Sequence, residues 1–478
     1  MSVVILGAGP AGLAAAYTLA GRGEVPVVLE RSTSVGGICR TVCYRGYYMD
    51  IGGHRFFTKF DEVQALWEEV LGDDLIRRPR QSRIFYNGKL FDYPLRASNA
   101  LRNLGPIEAA RCMASYGRAR LRDRGNETSF EEWVSNRFGD RLFDIFFRTY
   151  TEKVWGIPTS EIGADWAAQR IKNMELSTAV KRALIRGLGP LGRPLRRNEE
   201  VVTSLIEEFW YPRLGPGMMY DHMAEQAVQR GTRLLKEHTV IRLEHEDGRI
   251  HTVVSKTAEG EVSMPADEVL SSIPLTVLVQ CLSPAAPPEV LESARSLSYR
   301  HLLVVFLIVD EPELFTDNWV YVHDKNLQLG RLQNFRNWSP EMVPDPKTTC
   351  LGLEYFCSDG DALWNMTPEE LQELGRRELA ATGLLPPHAK VLDGSFVRVP
   401  RAYPVYARGY EDHLERIVEY VKGFKNLHPM GRYGMFKYNN SDHSILTALL
   451  TVENLYGASH RVWDVNTDTD YHELRQSS

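Results

Sequence analysis

The opening thirty residues constrain the chain most. Val3-Val4-Ile5-Leu6 is a short β-branched run, Gly7-Ala8-Gly9-Pro10-Ala11-Gly12 follows at once, and Leu13 to Ala20 is rich in helix formers. The spacing predicts strand, tight turn and helix. Gly7 permits the turn, Gly9 lets the backbone approach a pyrophosphate, and Gly12 lets helix and strand pack closely, while free N–H groups of the first helical turn attract the phosphates. The next apolar run, Val25 to Leu29, ends at Glu30. A carboxylate there can accept hydrogen bonds from both ribose hydroxyls of an adenosine and disfavours a 2′-phosphate. This pattern fits NAD or FAD equally.

With 478 residues, 43% hydrophobic and 25% charged, the chain reads as a folded protein of two or three intertwined domains, and disordered or collagen-like classes are excluded. The balance of 56 Lys+Arg against 62 Asp+Glu, a formal charge of -6, argues against a nucleic-acid partner, which would need a broad phosphate-neutralising surface. Cys39, Cys43, Cys112, Cys281, Cys350 and Cys357 lack the density and pairing of a disulfide or zinc framework, and no metal site is expected. A cytoplasmic setting follows as the expectation, since neither a secretory leader nor a run of about 20 apolar residues is evident. Six basic residues between Lys181 and Arg197, with no acid among them, suggest either a solvated surface, a phosphate-attracting lid or a peripheral membrane contact. The oligomeric state is not legible.

The segment from Arg31 to Arg40 carries a second glycine pair, Gly36-Gly37, again suited to close backbone approach. With it the chain resembles the FAD-containing amine-oxidase superfamily. That resemblance implies FAD as cofactor, with Gly36-Gly37 against the pyrophosphate and ribityl chain and a basic residue nearby, a place for Arg40. Asp50-Ile-Gly52-Gly53-His54-Arg55-Phe56-Phe57 is similar to the turn running along the flavin in protoporphyrinogen oxidases and UDP-galactopyranose mutases. By that similarity Gly52 and Gly53 lie near the isoalloxazine and His54 beside it, where a neutral imidazole could donate a hydrogen bond or carry a proton.

Tyr150-Thr-Glu-Lys153-Val-Trp155-Gly156, at the end of a helix-like stretch that starts near Thr128, resembles the YTxKxWG segment of the mutases. It implies that Trp155 lies beside a nucleotide-sugar pocket and that Arg170 pairs with the substrate diphosphate. Gly431-Arg432-Tyr-Gly-Met-Phe-Lys-Tyr438-Asn-Asn440-Ser441-Asp442-His443 is similar to the mutases' C-terminal GR…KYYDM segment, which closes over the flavin with a helix start. Gly431, Arg432 and Asp442 are then cofactor-binding and Tyr438 substrate-binding. Asn440 and Ser441 depart from that pattern, standing where it has the acid and methionine. The strand-like run around Val240 and the stretch Ala266 to Pro274 resemble the oxidase and desaturase branch, where Val240 supplies a backbone contact beside the adenine.

These resemblances imply an α/β fold, α+β overall: a Rossmann-like, GR2-type FAD-binding domain with an inserted substrate domain of helices and an antiparallel sheet. The FAD domain is expected to be discontinuous, from residues 1–60, 201–285 and 396–478, with 61–200 a helical insert and 286–395 the antiparallel sheet. The implied activity is oxidation or desaturation of a sugar, nucleotide-sugar or related small molecule by hydride transfer to flavin N5, with His54 and Arg432 as catalytic residues. A non-redox nucleotide-sugar mutase using reduced FAD is the alternative, and a flavin-binding protein without turnover a second. Purified protein is expected to be yellow, releasing FAD on denaturation. Colourless protein that stays so after incubation with FAD would overturn the reading.

Overall fold

The computed structural model describes residues 1–467 apart from 94, 96, 123, 124, 126, 165 and 167–207. Its nucleotide-binding layer is a five-stranded parallel sheet ordered Leu427–Pro429, Glu268–Ser271, Val3–Leu6, Val27–Leu29 and Arg233–Leu235. Val3 to Leu6 are all buried, as an inner parallel strand covered on both faces requires. The helix Pro10–Gly21 packs on that sheet through Leu13, Ala14, Ala15 and Ala16. Its alanines permit close approach to the helix Ser441–Leu455 from the far end of the chain.

The second unit is a seven-stranded sheet ordered Val391–Pro404, Tyr299–Val309, Thr349–Cys357, Arg331–Asn334, Trp319–Val322, Ser82–Tyr86 and Lys89–Asp92. All its pairings are antiparallel except that between Trp319–Val322 and Ser82–Tyr86. Tyr299–Val309 is a central strand with Leu302 to Val309 all buried, consistent with its uninterrupted apolar sequence. Two features differ from the linear division of the sequence. Residues 82–92, within the expected helical insert, supply two strands to the sheet, and the strand Val391–Pro404 runs through position 396. Short alternating runs such as Ser82–Tyr86 become legible as strands only when a neighbour completes their hydrogen bonding.

The helical stretch begins where the sequence places it. Ser129 caps Phe130–Phe138, and Glu132 returns a bond to the Ser129 N–H, a reciprocal capping box. The stretch ends with the helix Thr149–Trp155, whose last residues are fixed from outside. Lys153 Nζ donates to the carbonyls of Val322, Asp324 and Leu329 at 3.0, 2.6 and 3.1 Å. The buried Arg300 donates to the helix-terminal carbonyls of Val154 and Lys153 at 3.2 and 3.1 Å, satisfying groups a helix end leaves open. Gly156 then turns away at φ +69°, and a Cβ there would lie 2.5 Å from Arg300 Cζ. Gly156→Ala is therefore expected to destabilise the protein by about 2–4 kcal/mol, through left-handed strain plus overpacking, read as a lowered denaturant midpoint. An unchanged midpoint would contradict this packing.

Candidate active site and cofactor cavity

The two glycine turns meet. Gly7 adopts φ +93°, and a Cβ on Gly12 would stand 1.8 Å from Gly7 O, so helix and strand can close only with glycine at 12. Gly36 and Gly37 have φ +87° and +57°, the Gly36 N–H donates to Ala8 O at 2.8 Å, and a Cβ on Gly37 would be 3.3 Å from Gly9 Cα. Gly9 and Gly37 thus face each other across bare backbone. Glu30, at the end of its strand, accepts from Ala8 N at 2.9 Å and from Ser32 N and Oγ at 2.9 and 2.7 Å. Arg40 is held by a bond to Gly37 O at 3.2 Å.

A cavity of about 310 Å³ opens from these turns, and Gly7, Gly9, Glu30, Arg31, Gly37, Arg40, Val240 and Arg432 all line it. Gly12 and Gly36 lie behind the wall as packing glycines. Gly431, at φ +78°, would press a Cβ to 2.8 Å from Ala11 Cβ, which locates it against the first helix. Asp442, 1% exposed, turns inward with its carboxylate 3.1 Å from His443 Nδ1, while Asn440, Ser441 and Ser444 line the cavity. Helical phase explains this: 441 and 444 share a face that 442 and 443 do not. Arg170 and the basic segment 181–197 lie outside the described residues.

From Arg432, on the cavity wall, a chain of aromatic and charged contacts leads away from the cavity. Its guanidinium carbon lies 4.1 Å from the Tyr438 ring centre and 5.2 Å from that of Tyr403, a cation–π arrangement. Tyr403 and Tyr438 stack with centroids 5.9 Å apart, and Trp155 lies 6.0 Å from Tyr438 and 6.3 Å from Tyr403. Next comes Arg331, which sequence reading did not single out. Its Nε and Nη2 bind the two oxygens of fully buried Glu354 at 2.7 and 2.5 Å, and Gln333 donates to the same carboxylate at 2.6 Å. Nη1 makes no hydrogen bond among the described residues. A Cβ on Gly53 would be 3.7 Å from Arg331 Cζ, so the Gly52-Gly53 peptide lies over that guanidinium. Burial raises the Tyr150 and Tyr403 phenols, and the charge of Arg331 acts on both in the opposite direction.

His54 ends this chain of contacts. Nε2 donates to Ile51 O at 3.1 Å and Nδ1 faces Cys39 Sγ at 3.7 Å; Cys39 in turn lines the cavity. Burial, then the charges of Arg331 and Arg432, hold the imidazole down to about 4. His54 is therefore neutral at physiological pH with both nitrogens engaged inside the chain. The preceding hairpin is anchored by fully buried Asp50, which accepts from Thr41 at 2.8 Å and from Tyr211. Thr41 Oγ1 also accepts from Gly217 N at 3.0 Å, so the turn at Gly52-Gly53 is tied to the helix Gly217–Gln229.

The wall suits a dinucleotide with an elongated ring system. Among the described residues four arginines, Arg31, Arg40, Arg401 and Arg432, accompany the single carboxylate Glu30, and Arg432 Nε and Tyr433 OH are buried without a hydrogen-bond partner there. The glycine cradle and these open donors fit a flavin adenine dinucleotide. Fold and cavity together define a two-unit FAD-binding enzyme. The profile of the flavin containing amine oxidoreductase family matches residues 10–460, and the chain belongs to that family.

Among proteins of known sequence it is 26% identical over 174 residues to a protein named Probable UDP-galactopyranose mutase, from Klebsiella pneumoniae, covering 34% of this chain and 43% of that one. The chain thus spans less than half the length of this relative. Among solved structures it is similar to a reduced UDP-galactopyranose mutase, with TM-score 0.82, 22% identity and coverage of 98% and 96% of the two chains. It is also similar to an Exiguobacterium protein assigned as a protoporphyrinogen oxidase, with TM-score 0.70, 19% identity and coverage of 95% and 98%. Among the described residues no helix is long and apolar enough to cross a membrane, and no group of three His, Cys, Asp or Glu side chains could hold a metal ion.

The buried neutral His54 carries a pH prediction. The folded ring refuses a proton that the unfolded ring takes at its ordinary value of 6.5, so stability is lost as pH falls from 6.5 towards about 4. His54→Gln should remove that part of the acid-side decline. A stability difference between wild type and variant that is independent of pH would contradict the assignment.

Proposed function

We propose that this chain is an FAD-dependent enzyme acting on a nucleotide sugar, and that its reaction is a rearrangement without net oxidation. The observation carrying this reading is the ring formed by Arg331, Arg432, Trp155, Tyr403 and Tyr438 beside a His54 that is held neutral with both nitrogens committed. The aromatic faces suit the planar and C–H surfaces of a base and a sugar. Arg331, pre-oriented by Glu354, presents a planar guanidinium edge of the kind that binds a diphosphate.

When bound, the flavin supplies a hydride acceptor in its oxidised form and a nucleophilic nitrogen in its reduced form. The chain's own residues orient and neutralise. Arg331 would bind the diphosphate, and its charge would stabilise that group as a leaving group. Trp155 and Tyr438 would exclude water from the sugar. The helix start at Asn440–Ser441 would direct backbone N–H groups towards negative charge on a reduced ring. His54 would shape the flavin's niche without exchanging a proton at neutral pH. A second reading, oxidation or desaturation of the same class of substrate by hydride transfer to flavin N5, is favoured by Asn440 and Ser441 departing from the mutase-like pattern.

Anaerobic mixing of the yellow protein with candidate nucleotide sugars separates them. Turnover only after dithionite reduction, giving a product isomeric with the substrate, is the expected result; bleaching of the oxidised flavin by substrate would establish oxidation instead. Inertness in both states would favour a flavin-binding protein without turnover. Arg331→Ala should raise the apparent KM about tenfold or more with FAD content unchanged, because a charge-assisted contact is lost. His54→Ala should lose turnover with FAD still bound.

A further inference from the structure

The long strand Val391–Pro404 leaves regular pairing beside the cofactor cavity. Along its ladder with Tyr299–Val309, Arg300 pairs with Tyr403 but Leu302 pairs with Val399, so four steps on one strand oppose two on the other. At the apex of this bulge Arg401 adopts φ +58°, a left-handed conformation that a non-glycine residue rarely holds without a structural reason. The conformation is stabilised from behind. His301, 5% exposed, accepts the Arg401 N–H at Nδ1 over 2.9 Å. That bond leaves the ring proton on Nε2, which donates to Asp359 Oδ1 at 2.8 Å, and the ring lies 4.6 Å from Trp364. A bulge held this way re-aims one side chain.

The bulge brings Arg401, an exposed residue, to the wall of the cofactor cavity. Arg401 lines it together with Val399 and Pro400, in company with Gly7, Gly9 and Arg40. Its guanidinium, like that of Arg31, makes no hydrogen bond or ion pair with any described residue, whereas Arg40 and Arg432 on the same wall are tethered to backbone carbonyls.

We propose that Arg401 binds the diphosphate of FAD, and that His301 is a positioning residue that holds the bulge presenting it. The other polar groups of the cradle come from the parallel sheet, its flanking segments and the strand Thr239–Glu246, so Arg401 is the charged contact that the substrate sheet offers the cofactor. Cofactor binding thereby draws the two units together. Edge strands carry bulges for other reasons, chiefly to discourage pairing with further strands. The free guanidinium on the cavity wall and the buried histidine behind it distinguish this one. The proposal concerns cofactor binding alone, and its failure would leave the nucleotide-sugar reading, which rests on Arg331 and the aromatic ring, as it stands.

The test uses full-length apoprotein titrated with FAD, with ADP as a probe of the diphosphate and adenosine end, and with riboflavin, which has no phosphate. Arg401→Gln should weaken FAD and ADP by about tenfold, the range for one charge-assisted hydrogen bond, with a shallower salt dependence and unchanged riboflavin binding. Arg401→Lys should recover much of the loss. His301→Ala should weaken FAD by a smaller factor, and His301→Asn, whose amide oxygen can accept the same N–H, should restore it. Wild-type affinity for FAD and ADP in Arg401→Gln would overturn the proposal. So would an equal loss of riboflavin binding or a lowered unfolding temperature of the apoprotein, either of which would mark a structural role. His301→Ala indistinguishable from wild type would overturn the part assigned to His301.

Discussion

Everything functional in this protein depends on two stretches of side-chain-free backbone lying against each other. Gly9 and Gly37 approach so closely that a methyl on Gly37 would sit 3.3 Å from Gly9 Cα, and the bond from Gly36 N–H to Ala8 O fixes the approach. The pyrophosphate of a dinucleotide needs peptide N–H groups within hydrogen-bond reach, and a Cβ at these positions would hold it off. Glu30, Arg40 and the start of the helix Ser441–Leu455 then take their places around that junction. Removing either glycine turn would leave the arginines facing a cavity that the cofactor could not enter.

Charge on the site is managed by pairing and burial. Arg331 remains charged inside the protein because Glu354 meets it with both oxygens and Gln333 bonds the same carboxylate, which offsets the cost of desolvating the pair. That fixed positive charge and Arg432 act on His54 in the same direction as burial, away from protonation. The result is a cationic, aromatic site containing an imidazole that stays neutral. Under the proposed function, such a site would favour an anionic substrate and negative charge on a reduced flavin.

The segment that most resembles a nucleotide-sugar motif divides into scaffold and surface. Lys153 is spent on three carbonyls of the loop between two strands, and Gly156 makes room for Arg300. These two hold the helix Thr149–Trp155 in place so that Tyr150 stacks on His323 at 4.8 Å and Trp155 meets Tyr438 and Tyr403. A motif read only as a list of ligands would misplace its lysine and glycine. Their chemistry is backbone support, and it is Tyr150 and Trp155 that make the ring contacts.

The amino-acid sequence alone determined the nucleotide cradle, because Gly7, Gly9, Gly12, Glu30 and Gly36-Gly37 act through local backbone geometry within forty residues, where steric demands are written directly into residue type. It also indicated the start of the helical stretch near Thr128 and the glycine-bounded turn before the last long helix. Tertiary structure decided what distant strands bring together. Arg331 and Glu354 are partners across a strand pair, Tyr403 joins Tyr438 and Trp155 from a third place in the chain, and Asp442 is turned inward by helical phase. Arg401 stands on the cavity wall at a bulge whose N–H is bonded by a residue 100 positions away. No spacing rule along the chain encodes such contacts, since they arise from sheet register and helix rotation, which are settled by packing of the whole.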